Sequence, residues 1–174
     1  YVLWPKGEPF MVAGSTGTGK TTLAQQLVLR RIGVVEGRLL DQVVEVSERP
    51  LLYLAIDRDK QAQRSIRRMI EVVPHGRLLW HADLGAYDPR KSAPEQFVEW
   101  LGIHRVGTLV IDSLYGLIGQ GKDDSLVDWY IRTLRTLAEA NIEVLVLHHF
   151  RKQGKEDGAM IERVAGAAGM TWSA

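Results

Sequence analysis

Short apolar runs of strand length alternate with longer amphipathic stretches along the chain. PFMVA (residues 9–13) is the first run. KTTLAQQLVLRRI (20–32) follows, with Leu23, Leu27 and Val28 at helical spacing and Gly33 as the stop. LLYLAI (51–56), opened by Pro50, reads as a second strand, and DKQAQRSIRRMIEVV after it as a helix rich in basic residues. RLLWHA (77–82) is a third strand. Ser92, Pro94 in the first turn and Glu95 three residues after the serine predict a capped helix running to about Leu101. TLVID (108–112) is the fourth strand. Ser125 and Asp128 cap the next helix, with Leu126, Trp129, Tyr130, Leu134, Leu137 and Ala138 on its apolar face, and EVLVLHHF (143–150) is the fifth strand. Residues 43–46 are open between an edge strand and irregular chain.

Strands this uniformly apolar are covered on both faces. The pattern therefore predicts an α/β fold with a mainly parallel sheet and helices on both faces. The segment 151–165, RKQGKEDGAMIERVA, is charged and holds two glycines. It reads as a surface loop, because apolar sequence resumes after it.

Between the first strand and the first helix lies GSTGTGKTT, which is poor core material. Gly14, Ser15, Thr16, Gly17, Thr18, Gly19, Lys20 and Thr21 fit G-x-x-x-x-G-K-[ST] without a mismatch, with Thr22 next. The strand–loop–helix context is the one this phosphate loop requires. Glycines permit positive φ and let backbone N–H groups converge on oxyanions, and the helix N-terminus adds its positive end. Lys20 supplies a cation for the outer phosphates of a nucleoside triphosphate. The Thr21 hydroxyl is a ligand for Mg²⁺, which takes oxygen donors. ATP and Mg²⁺ are thus the expected cofactors.

Asp112, at the end of the fourth strand, is the expected second grip on the metal, the Walker B role. Ser113 follows it where many ATPases carry glutamate, and serine is no base. The carboxylate expected to orient the attacking water is therefore Asp57, at the end of the strand after the phosphate-loop helix. Asp57 also has a simpler reading as the cap of the next helix, which starts near Arg58.

TLVIDSLYGL, then a glycine-containing loop and a helix, then VLVLHHFRK, a charged loop and VAGAAGMTWSA resemble the RecA-like P-loop NTPase core over essentially the whole chain. The likeness is nearest to the RepA-like hexameric helicases of plasmid and phage replication. This resemblance implies that His149, beside His148, senses the γ-phosphate from the end of the fifth strand. It implies that the segments after Ser113 and from Arg151 to Ala165 face the channel of a ring and contact single-stranded DNA, with Lys122, Arg151, Lys152, Lys155 and Arg163 on phosphates. Asp123, Asp124, Glu156, Asp157 and Glu162 dilute that charge. RecA-like enzymes place glutamate where this chain has Asp57, one methylene shorter. An arginine finger from a neighbouring subunit completes hydrolysis in such rings, with Arg151, Lys152 and Arg163 as candidates here.

The resemblance therefore implies a DNA-stimulated ATPase: a helicase or translocase subunit, homo-oligomeric, in the cytoplasm of a bacterium or phage-infected cell. Two other classes stay open at this stage: an ATP-binding switch or assembly factor that does not move along DNA, and a small-molecule kinase. Arg64, Arg67 and Arg68 share one face of the basic helix, which also carries Arg58 and Lys60. That face suits a subunit contact, a nucleic-acid surface or plain solvent. Tyr1 and Trp4 are candidates to stack on adenine or to pack on the sheet.

Composition narrows this only a little. Twenty-two basic against 21 acidic residues leave a net charge of +1, so no global imbalance marks nucleic acid or a membrane. Cysteine is absent, which removes disulfides and thiolate metal sites. No apolar stretch approaches the roughly 20 residues of a membrane helix, and no membrane partner is expected. The 174 residues suffice for one domain. A start at Tyr1 and an end in MTWSA suggest a piece of a longer chain.

Overall fold

A computed structural model describes residues 4, 8–55, 58–70, 72, 74, 76–85, 87–118 and 124–150. Asp57, Lys122, Tyr1 and the whole segment 151–174, with its expected DNA contacts and finger candidates, lie outside the described residues.

Five strands form one parallel sheet in the order β1-β7-β6-β4-β5: β1 (Pro9–Ser15), β4 (Leu51–Leu54), β5 (Leu78–Trp80), β6 (Thr108–Asp112) and β7 (Glu143–Phe150). Their register runs Pro9 to Val144, Thr108 to Glu143, Leu51 to Thr108 and Leu51 to Leu78. Successive strand residues point to opposite faces, and the core divides accordingly. Leu52, Leu54, Leu109, Ile111, Val144 and Val146 share one cluster with residues of α3 (Pro94–Ile103), α4 (Leu114–Ile118) and α5 (Asp124–Glu139). Leu51, Tyr53, Val110, Leu145 and Leu147 share the other with α1 (Lys20–Arg31) and α2 (Asp59–Arg67). The sheet is thus covered by helices on both faces, as the apolar strands predict.

Local differences from the sequence pattern have plain causes. The buried stripe of α1 is Lys20, Ala24, Gln25, Val28 and Leu29, rotated from the expected Leu23 and Leu27, which are half-buried. Gly33 ends this helix at φ 77°, a left-handed conformation that glycine adopts without strain. The basic helix stops at Arg67, and Met69 and Ile70 pack on the core from irregular chain. Residues 43–46 do not extend the main sheet. Instead β2 (Arg38–Leu39) and β3 (Gln42–Val43) form a separate antiparallel hairpin, turned by Leu40 and Asp41 at φ 51° and 60°.

The cap of α3 shifts by one residue. Ala93 N donates to Gln96 Oε1 (3.1 Å), while Ser92 Oγ donates to the Pro89 carbonyl (2.9 Å). On α5, Asp124 begins the helix, one residue before the expected cap Ser125, and Val127 and Thr133 join the buried face. The segment after Ser113, which the resemblance places at the channel of a ring, opens with the short helix α4. Trp4 packs, with its ring 6.1 Å from that of Phe10 and its Nε1 donating to the Glu8 carbonyl (2.6 Å). Among the described residues, no helix is long and apolar enough to cross a membrane.

Candidate nucleotide-binding site

The carboxyl ends of β1, β6 and β7 open into one cleft of about 700 Å³. Ser15, Thr16, Thr21, Asp112 and His149 line it, together with Arg58 just before α2 and Gln61 and Ser65 on it. This is where an open parallel sheet gathers its ligand groups.

The phosphate loop is built as its composition requires. Gly17 and Gly19 have φ of 84° and 86°, with open space where a Cβ would stand, so glycine serves the backbone conformation there. Gly14 differs: it lies in β1, and a Cβ there would make ordinary van der Waals contact with Thr18 Oγ1 (3.4 Å) and Lys20 Cδ (3.7 Å), so neither space nor backbone conformation demands glycine at that position. Lys20 is only 6% exposed. Its Nζ donates to the Ser15 carbonyl (2.6 Å) and to Thr18 Oγ1 (3.3 Å), while Thr18 Oγ1 donates to the same carbonyl (2.8 Å). Burial pulls the ammonium pKa below its ordinary value, and the Asp112 charge partly restores it.

Alternation along β7 separates the two histidines. His149 follows Leu145 and Leu147 onto the α1/α2 face, opposite Gly14 in register, and lines the cleft. His148 points to the other face and is buried. Desolvation, then the Lys20 charge, lowers the His149 pKa below 6.5; Arg58 adds to this and Asp112 opposes it. The imidazole is therefore neutral at pH 7, with one nitrogen able to donate. Its Nδ1 is buried without a hydrogen bond.

Asp112 ends β6 on the same face. The peptide that joins it to Ser113 is cis. The Tyr53 hydroxyl donates to Asp112 Oδ2 (2.7 Å). Burial first, then the Asp112 charge, pushes the Tyr53 phenol far above its ordinary range, so it stays protonated as the donor. Gln25 on α1 is fully buried beside it and accepts from Ser65 Oγ (2.7 Å).

Tyr53, Gln25 and Ser65 were not singled out from the sequence, and Arg58 was named only as part of the basic helix, not as a residue of this cleft. Two signals were available: a glutamine on the buried stripe of a helix, and a tyrosine inside an aliphatic strand. The donor set suits Mg²⁺: one hydroxyl (Thr21) and one carboxylate (Asp112), both hard oxygens, in a cleft that leaves room for phosphate and water. Among the described residues, no cluster of three or more His, Cys, Asp or Glu offers a self-contained metal cage.

No curated protein matches the sequence. Among solved structures, the fold is similar to that of a KaiC-like protein, PH0186, from the hyperthermophilic archaeon Pyrococcus horikoshii OT3. That likeness has a TM-score of 0.60 at 14% identity and covers 89% of this chain and 70% of that one. A family model described as AAA domain matches residues 2–155. With a phosphate loop on a RecA-like parallel sheet and a match over most of its length, this chain belongs to the AAA domain family of P-loop ATPases.

Proposed function

We propose that this chain is an ATP-hydrolysing motor domain, one subunit of a homo-oligomeric ring that moves along single-stranded DNA in replication of a phage or mobile element, in the manner of the RepA-like helicases. The supporting observation is that Thr21, Asp112 and His149 line one cleft at the carboxyl end of the sheet, with the Lys20 ammonium near enough for its charge to act on His149 and to feel that of Asp112.

In the proposed reaction, water attacks the γ-phosphorus in line. Its oxygen forms the new bond to phosphorus, the bond to the β–γ bridging oxygen breaks, and the water proton passes to solvent by way of Asp57. Backbone amides of Gly17 and Gly19 and the Lys20 ammonium meet the charge that develops on the phosphate oxygens. Thr21 and Asp112 would hold Mg²⁺, which when bound supplies further charge neutralisation to the phosphates. His149 donates to a γ-phosphate oxygen before hydrolysis and loses that partner afterwards, which carries the nucleotide state to the segment beginning at Arg151. A cytoplasmic setting fits this role.

The test is ATP turnover by the full chain with and without single-stranded DNA, in the parent and in Asp57→Asn. DNA is expected to stimulate the parent. Asp57→Asn is expected to lose about 10²-fold or more of turnover, the usual worth of a general base, while still binding ATP. Unchanged turnover in the variant would overturn the role of Asp57. A parent indifferent to DNA in both rate and affinity would replace the motor with a nucleotide switch, an outcome that Ser113 and the short Asp57 carboxylate make worth testing.

A further inference from the structure

Along one wall of the cleft, four polar side chains from four elements form a line. Ser65 on α2 donates through Oγ to Gln25 Oε1 (2.7 Å). Gln25 on α1 is fully buried, its side chain acts on the Tyr53 phenol, and its Nε2 makes no other hydrogen bond. Tyr53 on β4, also fully buried, donates to Asp112 Oδ2 on β6 (2.7 Å). With Ser65 donating to the glutamine oxygen, the amide nitrogen is the end left for the phenol. A phenol oxygen that faces a donor must aim its own proton elsewhere, and the acceptor within reach is Asp112.

We propose that Tyr53, oriented by Gln25 and Ser65, is a positioning residue that pins Asp112 through Oδ2 so that Oδ1 is presented to the metal. The inference deepens the reading of Asp112 as a metal ligand and rests on it. A carboxylate with no fixed partner swings about its Cβ–Cγ bond and offers either oxygen. One with an oxygen tied to a buried donor offers the other in a single orientation. Such partners behind a metal ligand typically change metal affinity by about 10–100-fold. A simpler role, in which the carboxylate merely satisfies a buried phenol, predicts no such selectivity for metal.

The test measures Mn²⁺ binding by electron paramagnetic resonance, using the full chain loaded with a non-hydrolysable ATP analogue. Analogue binding in EDTA serves as the metal-free control. Tyr53→Phe is expected to weaken Mn²⁺ binding about 10-fold or more and to leave metal-free analogue affinity within about two-fold of the parent, a tenfold change being ~1.4 kcal/mol. In an Asp112→Asn background the same substitution is expected to cost nothing further, because the group it positions is gone. Gln25→Leu should act in the same direction, and it carries the cycle if Tyr53→Phe does not fold. Unchanged Mn²⁺ affinity, or an equal loss in both backgrounds, would overturn the positioning role. A parent that binds no analogue would instead overturn the nucleotide site beneath it.

Discussion

Lys20 is buried to a degree that lysine seldom tolerates without a partner. Its partners here are a carbonyl and a hydroxyl of its own loop, both neutral, so its charge is only partly compensated. A buried cation in this state strongly favours an arriving anion. His149 lies in the same field and answers it by staying neutral. Its folded pKa is depressed, so below about 6.5 the unfolded chain binds the proton more readily than the folded one. Stability from this residue is present above pH 6.5 and declines as the pH falls through the window just below. The thermal midpoint is expected to drop between pH 7.5 and 5.5, and to drop less in His149→Gln. An identical pH slope in the variant would remove the depressed imidazole from the account.

At the scale of elements, sequence and structure agree where one strong local signal governs. TLVID and EVLVLHHF coincide with β6 and β7, and Gly33 ends α1, because strand apolarity and the left-handed stop are local properties. They disagree where two local signals compete or a tertiary contact decides. Ser92 looks like the cap of α3, but its hydroxyl is committed to Pro89 and to the incoming Tyr87 hydroxyl, so Gln96 caps from inside. Val43 looks like an edge strand, but the Leu40–Asp41 turn folds it back on Arg38.

Gly107 shows a contact no local pattern reveals. The Arg49 side chain lies over it, reaching the Val106 carbonyl, and a Cβ on Gly107 would stand 2.5 Å from Arg49 Cβ. Gly107→Ala is therefore expected to destabilise the fold by about 1–3 kcal/mol, the range for overpacking a closed site. Denaturant unfolding checks this, and a variant as stable as the parent would show that the segment around Arg49 yields freely.

For the whole molecule, the α/β class was legible because each strand is apolar on both faces, and both clusters of the core use that apolarity. Strand order was not legible, since it depends on pairings between residues as far apart as Met11 and Val146. The loop half of the site was legible because one contiguous motif carries it. The other half was less so: Asp112 and His149 stood out as strand ends, whereas Tyr53 and Gln25 matter only once β4, β6 and α1 are side by side. The parallel sheet does this assembling, because it brings all its carboxyl ends to one edge.

The central claim is that this edge holds a triphosphate through Lys20. The most direct measurement is equilibrium binding of a fluorescent ATP analogue to the parent and to Lys20→Ala. One charge-assisted contact of ~1.5–3 kcal/mol corresponds to a loss of about 10–100-fold in affinity, with the fold intact by circular dichroism. Parent-like affinity in a folded Lys20→Ala protein would contradict the account.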